Sequence, residues 1–144
     1  MRLVRAEVMD QEALFALHVE LFRHHIEEIW GWDDKWQIAN FLKEWEESVT
    51  ELIVDDSRMA GYIQVKEEPD HDYLLGIAIS PSFQGQGLGT GVMEELKRRA
   101  GARQVPVRLS VFRTNPRVVA FYERLGFRVE CETETGWRMV WEAD

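Results

Sequence analysis

Ser80-Pro81-Ser82-Phe83-Gln84-Gly85-Gln86-Gly87-Leu88-Gly89-Thr90-Gly91 is the stretch on which the reading of this chain turns. Ahead of it, Tyr73, Leu75, Ile77 and Ile79 alternate as in a strand that stops at Ser80-Pro81, and a helix begins near Leu88. Four glycines at alternate positions remove side chains where backbone must approach something closely, and the helix start directs free N–H groups towards the same place. Strand end, glycine loop and helix N-terminus together form an anion cradle. Two common phosphate loops do not fit. No Gly-Lys-Ser/Thr follows, and Gly-x-Gly-x-x-Gly fails because Thr90 and Val92 stand where its last glycine would be.

Outward from this loop the elements can be read in order. Arg2 to Glu7 forms a short first strand, and Leu14, Leu17, Leu21, Phe22 and Ile29 follow at helical spacing between an Asp10 cap and Gly31. Asp33 caps a second helix to about Trp45, with Trp36, Phe41 and Trp45 as candidates for its buried face. Glu51 to Val54 and Met59 to Val65 flank Asp55-Asp56-Ser57 as a hairpin. Beyond the loop, Val107, Leu109 and Val111 mark a fifth strand. Asn115-Pro116 opens a helix to Leu125 that Gly126 terminates, and Phe127 to Cys131 and Trp137 to Trp141 make a last strand pair. The order β-α-α-β-β-β-α-β-α-β-β implies an α+β protein with a mixed sheet.

Composition narrows the function. With 144 residues, 45% hydrophobic and 30% charged, the chain suits a single globular domain over 1–144, with most of its six Trp expected in the core. No apolar run approaches a bilayer span and the N-terminus lacks a secretory signal, so membrane association and export are disfavoured. The lone Cys131 cannot form an internal disulfide; it reads as buried filler, and a cytoplasmic location is expected. The net charge of −9 argues against nucleic acid as a partner. Residues 1–72 carry 7 basic and 18 acidic side chains, a balance of −11, whereas 83–128 carry 9 and 3, or +6. A polyanion is favoured beside the second segment and a cation beside the first.

Gln84-x-x-Gly87-x-Gly89 after a strand resembles the acetyl-CoA signature of the GNAT superfamily of N-acetyltransferases, Gln/Arg-x-x-Gly-x-Gly/Ala. A second block, Leu109 to Asn115 followed by Phe121-Tyr122-Glu123-Arg124-Leu125-Gly126-Phe127, resembles that superfamily's later motif, with Val118 where alanine is usual. The resemblance implies a GNAT-like mixed, mostly antiparallel sheet of about seven strands flanked by about four helices, its fourth and fifth strands splayed apart. It also implies acetyl-CoA as cosubstrate, no metal, and direct transfer of the acetyl group to a primary amine. Backbone of Ile77, Ala78 and Ile79 would bind the pantetheine arm, and that of Gln84, Gly85, Gln86, Gly87, Leu88, Gly89 and Thr90 the pyrophosphate. Asn115 would bond the arm, as well as being able to cap its helix. Tyr122 would be the general acid for the departing thiolate.

The acceptor side is less determined. Trp30, Trp32, Asp33 and Gln37 lie between the first two helices, where the superfamily often lines its acceptor pocket. Core packing is the competing role for Trp30 and Trp36. Glu67, Glu68, Asp70 and Asp72, or Glu27, Glu28, Asp33 and Asp34, are candidate bases among which the sequence does not choose. His24, His25 and Glu28 share part of a helix surface without forming an expected metal site, and His18 is expected to contact the sheet. A small-molecule or peptide amine, cationic in view of the acidic N-terminal half, is the expected acceptor, and a homodimer is compatible with the resemblance. The alternatives are a non-catalytic acetyl-CoA-binding regulator and an acetyltransferase of protein N-termini or lysines, the latter needing an open acceptor groove.

Overall fold

The computed structural model describes residues 1–144. In chain order its strands are β1 (Arg2–Arg5), β2 (Val49–Asp55), β3 (Arg58–Glu67), β4 (Asp72–Ile79), β5 (Val107–Phe112), β6 (Arg128–Glu132) and β7 (Gly136–Trp141). Its α-helices are α1 (Gln11–Trp30), α2 (Asp34–Glu47), α3 (Leu88–Arg103) and α4 (Arg117–Arg124). The strands form one sheet in the order β1-β2-β3-β4-β5-β7-β6. Every neighbouring pair is antiparallel except β4 with β5. That parallel pair is where the chain crosses over through α3.

Local chemistry accounts for most boundaries. Asp33 adopts an extended backbone and its Oδ1 accepts from Trp36 N–H at 3.0 Å, capping α2. Asp56 and Ser57, both with positive φ, make the tight turn between β2 and β3. Along α3, Leu88, Val92, Met93, Leu96 and Ala100 are buried at helical spacing. They pack on one face of the sheet with Ile53, Ile63, Leu74, Val107, Leu109, Val111 and Met139. Each large side chain in that layer contributes roughly 1.5–3 kcal/mol by leaving water. The opposite face carries α1 and α2, where Leu14, Leu17 and Phe41 meet Tyr62 and Ala78.

Two irregularities in β4 shape the molecule. Its pairing with β5 covers only Asp72 to Leu74 against Val107 to Leu109, after which the strands diverge. On its other side the register with β3 slips between Gln64 and Val65, leaving Leu75 without an opposite residue. A bulge bends a strand, and this one sits where β4 leaves β5. Leu75 to Ile79 therefore presents an edge with no partner strand on that side, about 17 Å long at 3.3 Å per residue.

Three burial expectations need correction. None of the six tryptophans is fully buried; Trp30 and Trp36 are 61% and 60% exposed. The inward face of α2 instead carries Gln37 and Phe41, with Trp45 half-buried. Cys131 is exposed, because β6 is the outermost strand and none of its residues is buried. No helix is long and apolar enough to cross a membrane.

Candidate active site

The divergence of β4 from β5 opens a cavity of about 790 Å³. Its floor is Leu74 to Ile77 and Ile79 of β4 and Leu109 to Phe112 of β5; one end is formed by Phe83, Gln84, Gly85 and Gly87 of the loop with the first turn of α3, and the other runs under α1 and α2. Gly85 and Gly87 have φ of +77° and +80°, and a Cβ added at either meets no atom within 4 Å. Both positions thus combine a left-handed backbone with open space above it. Gly87 provides no side-chain cap for α3, and the first turn of that helix contains no acidic residue. The amides at the helix start therefore have no side-chain cap and can receive an anion. Gln84 instead braces the loop, donating from Nε2 to the Ile79 carbonyl at 2.9 Å.

Across the cavity, α4 supplies Val118, Phe121, Tyr122 and Arg124, and the turn before it supplies Asn115. Asn115 N–H donates to the Phe112 carbonyl at 2.9 Å, and its carbonyl accepts from Val118 N–H, so its backbone begins the turn into the helix. Its side chain does not cap the helix. Tyr122 is only 6% exposed, with its ring edge-on to Phe121 and Phe127. Its hydroxyl has no hydrogen-bond partner in the protein, yet no fully sealed side-chain polar atom is unpaired. The hydroxyl must therefore open into the cavity that Tyr122 lines. Burial pushes its pKa up to about 12, so it holds its proton at neutral pH.

This uncapped glycine loop, splayed strand pair and buried phenol coincide with matches to known proteins. The model of the acetyltransferase (GNAT) family matches residues 12–127. The chain belongs to the GNAT acetyltransferase family. It is 30% identical over 113 residues to the alanine N-acetyltransferase of ribosomal protein bS18 from Escherichia coli strain K12, covering 78% of this chain and 72% of that enzyme. A crystal structure of the ribosomal-protein-S18-alanine N-acetyltransferase from Escherichia coli aligns with a TM-score of 0.69 at 25% identity, over 98% of this chain and 92% of that one. The PaiA N-acetyltransferase of Thermoplasma acidophilum, solved in complex with coenzyme A, shares the fold with a TM-score of 0.78 at 17% identity, over 99% and 98% of the two chains. As a GNAT member the chain is an acetyl-CoA-dependent N-acetyltransferase, with acetyl-CoA as its cosubstrate.

Within the GNAT fold, the residues expected on the donor side come together. Ile77, Ile79, Gln84, Gly85, Gly87, Leu88, Gly89, Thr90, Asn115 and Tyr122 all line the one cavity. Ala78 packs instead with Tyr62 and Leu14 on the far face of the sheet, so only its backbone can serve a ligand. Gln86 turns back towards the Ser82 carbonyl, at 3.5 Å.

The residues expected on the acceptor side do not gather in the same way. Trp32 Nε1 donates to Asp34 Oδ1 at 2.6 Å, and Asp33 is occupied as a helix cap; neither lines the cavity. Trp30 is edge-on to Phe112 at a centroid distance of 5.8 Å, outside the cavity wall. Gln37 is buried beside His18, one layer behind it. Of the candidate bases, Asp72 is buried in an ion pair with Arg103, Asp70 bonds to His71 at 2.8 Å, and Glu68 pairs with Lys66 at 3.4 Å. None of them reaches the cavity. His24 pairs with Glu28 at 3.8 Å while His25 bonds to Thr114 Oγ1 at 2.8 Å, and no three such groups are placed to hold a metal.

The α1, α2 and β3 end of the cavity is built from His18, Phe22, Phe41, Glu44, Tyr62 and Gln64. Burial lowers the His18 pKa, with Gln37 offsetting part of the effect. Burial raises the Glu44 pKa; the Asn40 hydrogen bond opposes this, Glu47 adds to it and Lys43 opposes it. Glu44 is not one of the candidate bases that the sequence offers. The signal lay in its spacing: it follows Gln37 by seven residues and Phe41 by three, which puts a carboxylate on the inward stripe of α2.

Proposed function

We propose that the chain transfers an acetyl group from acetyl-CoA to a primary amine by direct attack, with no covalent intermediate on the protein. The observation that carries this reading is the unpartnered edge of β4 from Leu75 to Ile79, which ends at an uncapped helix start. Backbone of Ile77, Ala78 and Ile79 offers amide groups to the pantetheine arm as an added strand would. The loop from Gln84 to Thr90 offers N–H donors to the pyrophosphate. Asn115 lies beside the arm, with its side-chain amide free of the helix cap.

Tyr122 then faces the sulfur. A thiol has a pKa near 8.5, so full proton transfer from a phenol near 12 is about 5 kcal/mol uphill on its own. Tyr122 acts first by donating a hydrogen bond to the developing thiolate, and its proton moves across as the attacking nitrogen sheds its own. A cationic acceptor is supported by the −11 balance of residues 1–72. A peptide N-terminus is the form of amine supported by the relative named for acetylating an alanine of a ribosomal protein.

The test measures coenzyme A release over a panel of amines and short peptides, with coenzyme A affinity determined calorimetrically. Turnover with an amine together with tight coenzyme A binding is expected. Tight binding without turnover on any amine or peptide would favour the regulatory alternative.

A further inference from the structure

We propose that Glu44 is the acceptor-binding and proton-accepting residue of this enzyme: its carboxylate pairs with the primary ammonium of the acceptor and then takes the proton that blocks attack. The inference rests on the donor site proposed above, and it adds the acceptor's seat and class. Glu44 is the only carboxylate among the residues lining the cavity, and Arg124, on α4, is the only lysine or arginine. One Glu44 oxygen, Oε1, accepts from Asn40 Nδ2 at 2.8 Å, and Ser48 Oγ donates to its backbone carbonyl. The second oxygen has no partner and is not sealed from solvent. No ion pair in the chain involves Glu44. Lys66, the cation on the adjoining strand, is turned to Glu47 at 3.8 Å and Glu68 at 3.4 Å.

A half-buried carboxylate without an ion-pair partner is costly to keep charged, and a ligand ammonium would supply the direct contact that the fold withholds. The other titratable or charged groups around it are Lys43 and Glu47 on its own helix, Tyr62 on β3 and His18 on α1. Tyr62 is 2% exposed and has no hydrogen-bond partner, so its hydroxyl opens into the cavity, and burial together with the Glu44 charge raises its pKa. It stays a neutral donor and acceptor. Phe22 and Phe41 complete an aromatic lining that suits a cation at its centre.

One carboxylate in an otherwise uncharged end balances one ammonium. An acceptor with a second, anionic group next to the amine would meet repulsion from Glu44, so the class is a primary amine with uncharged neighbours, such as a peptide N-terminus or an alkylamine. The ammonium has two protons to lose. The first passes to Glu44 and on to water, freeing the lone pair that forms the C–N bond as the C–S bond breaks. The second leaves the nitrogen after that bond forms and replaces the proton Tyr122 gives to the thiolate. The sum is amide, free thiol and one released proton.

Glu44→Gln keeps the Asn40 hydrogen bond but not the charge. The probes are an alanine-initiated hexapeptide amide, n-butylamine and free alanine. For the wild type, kcat/KM for the better of the first two should exceed that for alanine by about 10-fold or more. Glu44→Gln should lose roughly 10²-fold in that kcat/KM, together with the acid-side inflection of its pH profile, while coenzyme A affinity stays within about twofold. Glu46→Gln, on the exposed side of the same helix, should behave as wild type. A Glu44→Gln protein with wild-type kcat/KM and pH profile would overturn the assignment of the base. A wild type that binds coenzyme A but prefers alanine, or acetylates none of the probes, would overturn the acceptor class. A wild type that fails to bind coenzyme A would instead remove the donor site, and this proposal with it.

Discussion

Replacing Gly87 by aspartate puts a carboxylate at the mouth of α3 where the pyrophosphate is proposed to sit. A Cβ there meets no atom within 4 Å, so the fold itself suffers no clash. The φ of +80° costs an L-residue roughly 1 kcal/mol. That strain is present with or without ligand and lowers Tm by only about 3 °C in a chain of this size. The effect on binding is electrostatic. A unit charge about 4 Å from a phosphate oxygen repels it by about 1 kcal/mol at the dielectric constant of water and about 4 kcal/mol at the effective value near a protein surface. The loop is exposed at Gln84 to Gly87 while Leu88 behind it is buried, so an intermediate value of about 3 kcal/mol, roughly 10²-fold in affinity, is expected. Gly87→Asn carries nearly the same bulk, tolerates a left-handed backbone and lacks the charge. Calorimetric titration with coenzyme A at low and high salt should show Gly87→Asp far weaker than Gly87→Asn, with the gap narrowing as salt rises. Equal affinity of the two folded variants, or of both and the wild type, would refute the electrostatic argument and with it the placement of the pyrophosphate.

Tyr122→Phe should retain coenzyme A affinity and lose roughly 10²-fold or more in turnover, because the ring still packs on Phe121 and Phe127 while the cavity loses its hydroxyl. Single-turnover rates check this; an unchanged chemical step would make Tyr122 structural. Asp33→Ala removes the cap on Trp36 N–H and should cost about 1 kcal/mol of stability. Its KM for the acceptor should not move, since Asp33 does not line the cavity, and a selective rise in that KM would restore it to the acceptor site. Glu44→Gln should raise Tm near neutral pH: a carboxyl whose folded pKa is raised destabilises the fold once pH exceeds its unfolded value, and glutamine cannot ionise. Melting curves should show the advantage disappearing at about pH 4 and below, where both states of the wild type are protonated.

Although the Asp10 and Asn115 side chains do not cap α1 and α4, the amino-acid sequence alone determined the element order, the Asp33 cap, the Asp56-Ser57 turn and most of the residues that line the proposed donor end of the cavity. These features are local. Asp33 caps its own helix, the Asp56-Ser57 turn is two residues long, and Gln84 to Thr90 builds its cradle from consecutive backbone. Short-range steric and hydrogen-bonding rules suffice for them. The end of the cavity proposed for the acceptor was decided by tertiary structure, because it gathers His18, Glu44 and Tyr62 from three separate elements. Hydrophobicity misled here: Trp36 reads as the inward residue of α2, yet the packing of that helix on Leu14, Leu17 and Tyr62 turns Gln37 and Phe41 inward and leaves Trp36 in water. Cys131 follows the same logic, since the alternation of a strand cannot tell whether that strand lies at the sheet's edge. A side chain's periodicity fixes which neighbours share its face, but only the docking of helix on sheet decides whether that face meets the core, the solvent or the gap between β4 and β5.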